Sequence, residues 1–241
     1  MSIVNRTGVV VPVEMARFAF EPLKSGPALY IHNSGDLAGP VNFSWNIKYT
    51  CFFKAIIFST PLSAARLIAG SNGNTHILLT ATGIQVSHQG STATTGAILE
   101  YNVLHDYAIV YDGRFVRCYR DMAPFVAAKL TTAPTTAALN YTLFNRSDGL
   151  RQCDMNIARF QWYNRAFSPQ EIVAHYRSNP NDMKDLELRY DFKEGSGATL
   201  IDTSGKGRNV TISGSSWTTF DIKRPITTYG DQAILSARPL V

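Results

Sequence analysis

The sequence predicts an all-β fold: an antiparallel β-sandwich with one short helix and extended arms at both termini. Short segments rich in β-branched and aromatic residues alternate with Gly, Pro, Asn and Asp turn signals along the chain. Charged residues make up 17% of the 241 residues and hydrophobic residues 45%, which suits sheets with buried faces. Because all-β sandwiches often reach this length as one unit, we expect a single sandwich.

The first half of the chain supplies an arm and several strands. Residues 1–16 are predicted to form an N-terminal arm, in which Pro12 argues against a central strand. Residues 28–32 predict a short strand. The aromatic block 43–58 is dense in residues that favour strands and predicts one or two core strands.

A hairpin is predicted over residues 107–119, where two strand-prone segments flank Asp112-Gly113. Glycine tolerates positive φ, so this dipeptide suits the primed turn that matches the twist of the flanking strands. Further strands are expected at residues 141–144 and 156–163.

One helix is predicted, over residues 170–177. Ser168 and Glu171 form a capping box, and Pro169 occupies the first helical position. A single short helix among about a dozen strands is typical of a sandwich.

The domain boundaries follow from this pattern. We expect the sandwich to span residues 17–220 and a C-terminal arm to span residues 221–241. Residues 186–220 predict a further strand pair, which is either permuted within this sandwich or donated to a neighbouring subunit. Completion of one sandwich is favoured, because about 35 residues make a poor independent core.

Composition argues against several partners. The formal net charge is +5, but the basic residues are scattered and do not form the patch that binds nucleic acid. No apolar stretch approaches the length of about 20 residues that spans a membrane, and we expect no signal peptide. Three cysteines without metal-ligand spacing predict free, buried thiols and folding in a reducing cytoplasm: Cys51, Cys118 and Cys153.

Three segments of the chain resemble a known family. Residues 107–121 are similar to a hairpin, and residues 157–172 to a closing strand and helix, of concanavalin-A-like, laminin-G-like jelly-roll domains of the bacterial and phage type. Residues 190–197 and 202–207 resemble a third family segment, which usually opens such a domain but here follows the closing helix. The resemblance implies a jelly-roll sandwich, and its members include carbohydrate-binding and calcium-binding modules.

Four aromatic residues are candidates for contact with a glycan or a partner, because glycan binding needs an exposed aromatic ring among amides and hydroxyls: Trp45, Trp162, Tyr163 and Trp217. For each tryptophan the alternative is burial in the core, which is the commoner environment for this residue type. Trp162 and Tyr163 lie on opposite faces of one strand, so one faces the core and the other faces solvent or a partner.

Calcium is the one cofactor that the resemblance implies. Asp202, Ser204 and Asn209 offer oxygens in one tight loop, which predicts a candidate calcium site. The same residues also form an ordinary Asx-type turn, which is the favoured alternative.

No catalytic residues are predicted. Hydrolases that resemble this family carry paired acids in a Glu-x-Asp-x-x-Glu pattern, which this sequence lacks. Gly-x-Ser-x-Gly and histidine pairs at metal-ligand spacing are also absent. We therefore expect a binding or assembly module that is not an enzyme.

Two functions remain open. The first is a structural or adhesion component of a bacteriophage virion, a capsid decoration or tail-associated protein that is made in the host cytoplasm. Its terminal arms would contact other virion proteins or copies of itself. The alternative is a lectin module, with or without calcium, that binds polysaccharide such as a cell-surface or mucosal glycan.

Overall fold

The computed structural model describes residues 3–4, 10–11, 26–31, 37–59, 65–96, 99–125, 127–130, 137–146, 153–178, 183–220, 227–229 and 232–234. The chain divides into two units. One comprises residues 26–220 and 239–241, and the other comprises residues 1–25 and 221–238.

The described residues form one helix, α1 (Pro169–Ser178), and strands that all pair antiparallel. The strands are β1 (Ile3–Val4), β2 (Val10–Val11), β3 (Gly26–Ile31), β4 (Leu37–Trp45), β5 (Tyr49–Ser59), β6 (Ala65–Gly70), β7 (His76–Thr80), β8 (Gly83–His88), β9 (Ser91–Thr94), β10 (Leu104–Tyr111), β11 (Phe115–Arg120), β12 (Ala123–Pro124), β13 (Ala128–Lys129), β14 (Ala137–Leu143), β15 (Asp154–Tyr163), β16 (Leu186–Tyr190), β17 (Thr199–Leu200), β18 (Val210–Ser213), β19 (Ser216–Phe220), β20 (Thr227–Tyr229) and β21 (Gln232–Ile234).

Two sheets form the sandwich, so the predicted fold class is confirmed. The larger sheet has the order β12-β11-β10-β5-β15-β3-β19, with β13 also paired to β11 and β16 to β15. The smaller sheet has the order β17-β18-β4-β14-β6-β7-β8-β9. Their facing sides bury one continuous apolar core.

The alternation of side chains along β5 shows why this strand is central. Its inward residues, such as Phe53 and Ile57, belong to the main core, whereas the outward Phe52 belongs to a second, smaller core. A strand buried on both faces has the nearly continuous apolar sequence that residues 49–58 show.

The predicted hairpin is present as β10 and β11. The Asp112 carboxylate accepts hydrogen bonds from the backbone N–H groups of Arg114 (2.9 Å) and Phe115 (2.8 Å), and Gly113 takes a φ of 95°. The turn therefore needs both residues of the Asp-Gly pair.

The predicted capping box is also present. The backbone N–H of Glu171 donates to Ser168 Oγ (3.2 Å), and the backbone N–H of Ser168 donates to a carboxylate oxygen of Glu171 (2.7 Å). These bonds satisfy two early amides and set the first residue of α1.

Residues 186–220 pair with strands of this same chain. β16 pairs with β15, β18 with β4, and β19 with β3. In the terminal segments, β1 pairs with β2 and β20 pairs with β21. The rest of the predicted arms, 1–16 and 221–241, lies outside the described residues.

Candidate functional site

The outer face of the larger sheet is partly covered by α1, and a second small core lies between them. Phe52 from β5 and Tyr163 from β15 contact Phe167 and Ile172 in this core. His175 from α1 lies flat on Phe52, with ring centroids 3.7 Å apart and an angle of 6° between the ring planes. The helix therefore presents a histidine to the sheet as well as apolar side chains.

The connection between β15 and α1 is fixed by specific bonds. Thr50 Oγ1 donates to the carbonyl of Arg165 (2.8 Å) and accepts from the N–H of Phe167 (3.0 Å). The Arg165 guanidinium bonds a Glu171 carboxylate oxygen at 2.5 Å and lies 3.8 Å from the centroid of the Phe167 ring. These contacts hold the start of the helix against the sheet.

A shallow depression lies beside α1 on this face, and its enclosed part is about the size of one water molecule. We call it the α1 pocket. Strands β5, β10, β11 and β15, the β11–β12 turn and α1 supply its lining residues: Phe52, Asp106, Tyr107, Ala108, Tyr119, Met122, Arg159, Ile172, His175 and Tyr176.

A row of three charged side chains crosses the sheet at one edge of the α1 pocket. Asp106 carboxylate oxygens lie 3.2 Å from Lys54 Nζ and 2.5 Å from an Arg159 guanidinium nitrogen. A bulge at Ala158 makes this row possible, because the register shift places Arg159 rather than Ala158 opposite Lys54. All three side chains are about one-sixth exposed, so each keeps a small part of its surface in contact with solvent.

His175 is 1% exposed, and burial, followed by the nearby Arg159 charge, lowers its pKa to about 3. It is therefore neutral at pH 7. Within the described part of the chain, its Nε2 atom has no hydrogen-bond partner, and neither does the side-chain amide of the fully buried Gln161.

The β11–β12 turn contributes Met122 to the lining of the α1 pocket. Asp121 Oδ1 accepts from the N–H of Asp106 (3.0 Å), and Asp121 Oδ2 lies 2.5 Å from Nδ1 of His105. Asp121 and Met122 have φ values of 48° and 72°, so the chain turns sharply and places Met122 in the pocket wall. The two bonds to Asp121 hold this left-handed turn in place.

The α1 pocket thus places one partly exposed carboxylate and one partly exposed guanidinium beside buried apolar side chains and a buried neutral imidazole. The two partly exposed groups can exchange hydrogen bonds with a polar ligand at the surface of the sheet. Asp106 is the one carboxylate among the described lining residues and is already paired with two cations. Glycoside hydrolysis needs two carboxyl groups in one site, so the described geometry favours binding.

Three of the four predicted glycan-contact residues are in the wrong environment for that role. Trp45, Trp162 and Tyr163 are fully buried. Trp45 and Trp162 contact each other in the main core, with ring centroids 4.5 Å apart, and Tyr163 lies in the small core under α1. A ligand in solvent cannot reach these rings, so this prediction is wrong for them.

Trp217 is half-buried at the edge of the main core. Its Nε1–H donates to the carbonyl of Gly197 (2.7 Å), and its backbone pairs with Leu29 in β3. The exposed part of its ring is accessible, so its role as a contact residue stays a prediction.

The three predicted calcium ligands hold their own loop together. The Asp202 carboxylate accepts four hydrogen bonds, from the N–H groups of Arg189 (3.1 Å), Ser204 (3.0 Å) and Arg208 (2.9 Å) and from Ser204 Oγ (2.8 Å). Asn209 Oδ1 accepts from the N–H of Asp202 (2.9 Å). Because a calcium ion would compete with these donors, the geometry favours the Asx-type turn, and the calcium site stays a prediction.

Within the described ranges, no three His, Cys, Asp or Glu side chains come together in a way that could hold a metal ion. The described part of the chain also contains no helix with the length and hydrophobicity that a membrane span requires.

Sequence reasoning missed the residues of the α1 pocket. Asp106 and Arg159 stand at outward strand positions, but only the pairing of β10, β5 and β15 brings them together. His175 stands three residues after Ile172 in α1. This spacing was the available signal, because it places both side chains on one face of the helix.

Comparison with known families gives one clear result. A family model described as the concanavalin A-like lectin/glucanases superfamily matches residues 51–173, just over half of the chain. This match confirms the family resemblance of residues 107–121 and 157–172, whereas the third segment lies outside it. No curated protein matches the chain significantly.

Several solved structures share the fold. A proposed carbohydrate binding protein from Bacteroides ovatus matches with a TM-score of 0.65 and 15% identity, over 83% of this chain and 62% of that chain. This chain therefore spans less than two thirds of that protein. A heptameric SAP-like pentraxin from Limulus polyphemus matches with a TM-score of 0.53 and 10% identity, over 78% of this chain and 96% of that chain. At these identities the likeness shows the fold alone.

Proposed function

The chain belongs to the concanavalin A-like lectin/glucanases superfamily, and from this premise we propose that it is a carbohydrate-binding module without catalytic activity. The observation that carries the proposal is the α1 pocket, in which aromatic and apolar side chains lie beside the Asp106 carboxylate and the Arg159 guanidinium. Sugars combine apolar C–H faces with hydroxyl groups that both donate and accept. The partly exposed Asp106 carboxylate can accept from such hydroxyl groups, and the partly exposed Arg159 guanidinium can donate to them.

The comparison with the Bacteroides ovatus protein supports the same function by analogy, since carbohydrate binding is the proposed role of that protein. We propose that binding in this chain needs no calcium. The Asp202 carboxylate is occupied by four donors of its own loop and is not offered to an ion.

A glycan array tests the function directly. The full chain is labelled and applied with calcium and, separately, with a chelator. We expect binding to a defined set of glycans under both conditions. Absence of binding under both conditions contradicts the proposal.

Calorimetric titration with the tightest glycan then tests the site. Asp106→Asn removes the charged acceptor, and we expect affinity to fall by about tenfold or more. Asp185→Asn is the matched control, because Asp185 is exposed and its φ of 61° is tolerated by Asn. Equal affinity of Asp106→Asn and the unmodified protein would place the sugar elsewhere.

A place in a bacteriophage virion remains a prediction from the sequence. It depends on the resemblance and on the terminal arms, of which the structure describes only β1, β2, β20 and β21. Size-exclusion chromatography and limited proteolysis test it. A monomer with protease-sensitive termini, which stays a monomer beside phage components, contradicts it.

A further inference from the structure

We propose that one edge of the larger sheet binds the anionic groups of acidic polysaccharides. The site is a cluster of cations around one aromatic ring, which we call the β11 patch: Lys48, Arg114, Phe115, Arg117 and Lys129. Its members are scattered in the sequence and come together only in the fold. The choice of a polysaccharide depends on the proposed function, to which the β11 patch adds the charge class of the ligand.

The strand pairing places the β11 patch on the outer face of the larger sheet. Val116 and Cys118 lie in the main core, so Phe115 and Arg117 point to the other side of β11. Lys129 on β13 pairs directly with Phe115, and residues paired in this way share one face of the sheet. The side chains of Phe115, Arg117 and Lys129 therefore lie next to one another on the surface.

The Phe115 ring is in contact with two guanidinium groups. The Cζ atoms of Arg114 and Arg117 lie 5.0 Å and 5.8 Å from the centroid of this ring. Lys48 approaches from the connection between β4 and β5, and its Cε lies 3.6 Å from the position that a Cβ on Gly113 would occupy. Lys48 therefore lies beside the hairpin turn that precedes both arginines.

Acidic side chains do not balance the charge of the β11 patch. Lys48, Arg114 and Lys129 are exposed, and within the described part of the chain none of them has an ion-pair partner. Asp112 is bonded to Arg117 and to two backbone N–H groups of the turn. The four cations and this one carboxylate together carry a net charge of +3. Such an excess of positive charge attracts an anionic partner.

Four other cations on this side of the sheet differ from the β11 patch, because each has a carboxylate oxygen at 2.5 to 3.2 Å: Lys54 and Arg159 bond Asp106, Arg165 bonds Glu171, and Arg189 bonds Asp191. Their charge is largely compensated within the protein. The attraction for an anion is therefore strongest at the β11 patch.

An acidic polysaccharide matches these groups. Each arginine presents a planar fork of N–H donors that fits the oxygens of a carboxylate or a sulfate, and lysine adds a point charge. One exposed contact is weak, but the repeated anionic groups of a polysaccharide can contact several cations together. Phe115 already contacts two guanidinium groups, so it is not presented for stacking on bases or for insertion into a lipid surface.

Matched pairs of polymers test the inference on the unmodified full chain. Polygalacturonate is titrated against its methyl-esterified form, and dextran sulfate against dextran, by calorimetry. We expect at least one acidic polymer to bind about tenfold more tightly than its neutral partner, and added salt to weaken this binding. If the two members of each pair bind equally, the inference fails while carbohydrate binding stands. If no glycan binds, neutral or acidic, the proposed function fails as well.

A pair of charge-matched variants then tests the location. Arg114→Gln/Lys129→Gln removes two charges from the β11 patch, and Lys193→Gln/Lys206→Gln removes two charges from exposed loop positions outside it. All four side chains are exposed, so we expect both variants to fold. We expect affinity for the acidic polymer to fall about tenfold in the first variant and less than about twofold in the second. Equal losses would assign the binding to the net charge of the chain and overturn the inference.

Other polyanions test the choice of partner. A DNA duplex and vesicles that contain phosphatidylserine are titrated under the same conditions, and affinities are compared per anionic group. We expect both to bind more weakly than the preferred acidic polysaccharide. Equal or tighter binding of either one overturns the assignment of the β11 patch to a polysaccharide.

Discussion

The two faces of the larger sheet carry two different cores, and β15 contributes to both. On the inner face, Trp162 contacts Trp45 at 4.5 Å and is stacked on Tyr49 at 4.8 Å between ring centroids. On the outer face, the adjacent Tyr163 contacts Phe52 and His175 at 5.9 Å. The inner core consists of large rings packed between two sheets, whereas the outer core mixes rings with charged side chains and opens into the α1 pocket.

This difference shows how one sheet serves both the fold and the site. The inner face is closed by the smaller sheet, so its side chains contribute to stability. The outer face is closed by a helix of ten residues, and the part of the sheet beside the helix keeps the Lys54, Asp106 and Arg159 row open to solvent. We therefore expect substitutions on the inner face to act on stability and substitutions beside α1 to act on binding.

The largest expected effect is that of Trp162→Ala. Removing this fully buried ring leaves a cavity among Trp45, Tyr49 and Phe43, and we expect the free energy of unfolding to fall by about 4 kcal/mol. Urea denaturation measures this loss. Trp217→Ala, which removes a half-buried ring at the sheet edge, serves as the comparison and should cost clearly less. Similar losses for both would remove the distinction between core and edge.

The next effect is that of Asp202→Ala, which leaves the donors from Arg189, Ser204 and Arg208 without their acceptor. We expect a loss of about 3 kcal/mol in the free energy of unfolding. Calcium should not change the unfolding temperature of the unmodified protein. If calcium raises the unfolding temperature of the unmodified protein but not that of the variant, Asp202 binds calcium after all.

A smaller effect concerns the pH dependence of stability, to which the buried His175 on the outer face contributes. Because its pKa falls from the ordinary 6.5 to about 3, the unfolded chain binds a proton in this range that the folded chain does not. Stability is therefore lost as the pH falls from 6.5 towards 3.

His175→Phe keeps the ring on Phe52 and removes this titration. Between pH 8 and pH 5, we expect the variant to lose about 2 kcal/mol less stability than the unmodified protein. His76, whose pKa burial lowers to about 4, contributes in both proteins, so the comparison isolates His175. Equal pH dependence of the two proteins contradicts the neutral, buried His175.

The smallest expected effect is the reaction of the thiols. Cys51, Cys118 and Cys153 are free and buried, and burial raises the pKa of each, to about 12 for Cys118. A thiol reagent should leave the folded protein unmodified and label three sites after unfolding. Rapid labelling of the folded protein would show that the inner face opens readily.

The features that the sequence predicts well are local. Asp112-Gly113 and the capping box of Ser168 and Glu171 each act within four residues, so their geometry can be derived from the chain itself. The two faces of β15 could also be assigned to Trp162 and Tyr163. The burial of both residues could not be derived from the sequence, because Tyr163 is buried only where α1 covers the outer face of the sheet.

The α1 pocket could not be predicted, because its parts are distant in sequence. Lys54, Asp106 and Arg159 meet only through two strand pairings and the bulge at Ala158. A register shifted by one residue would place these side chains on the other face of the sheet. Strand alternation alone does not fix the register between strands that are about 50 residues apart.

The most direct test of the central claim is a crystal structure of the full chain with the sugar that binds most tightly in the glycan array. We expect the sugar to lie over the α1 pocket, in contact with the partly exposed Asp106 and Arg159. A sugar bound to the outer face of the smaller sheet or to the loop of Asp202, with the α1 pocket empty, would contradict it.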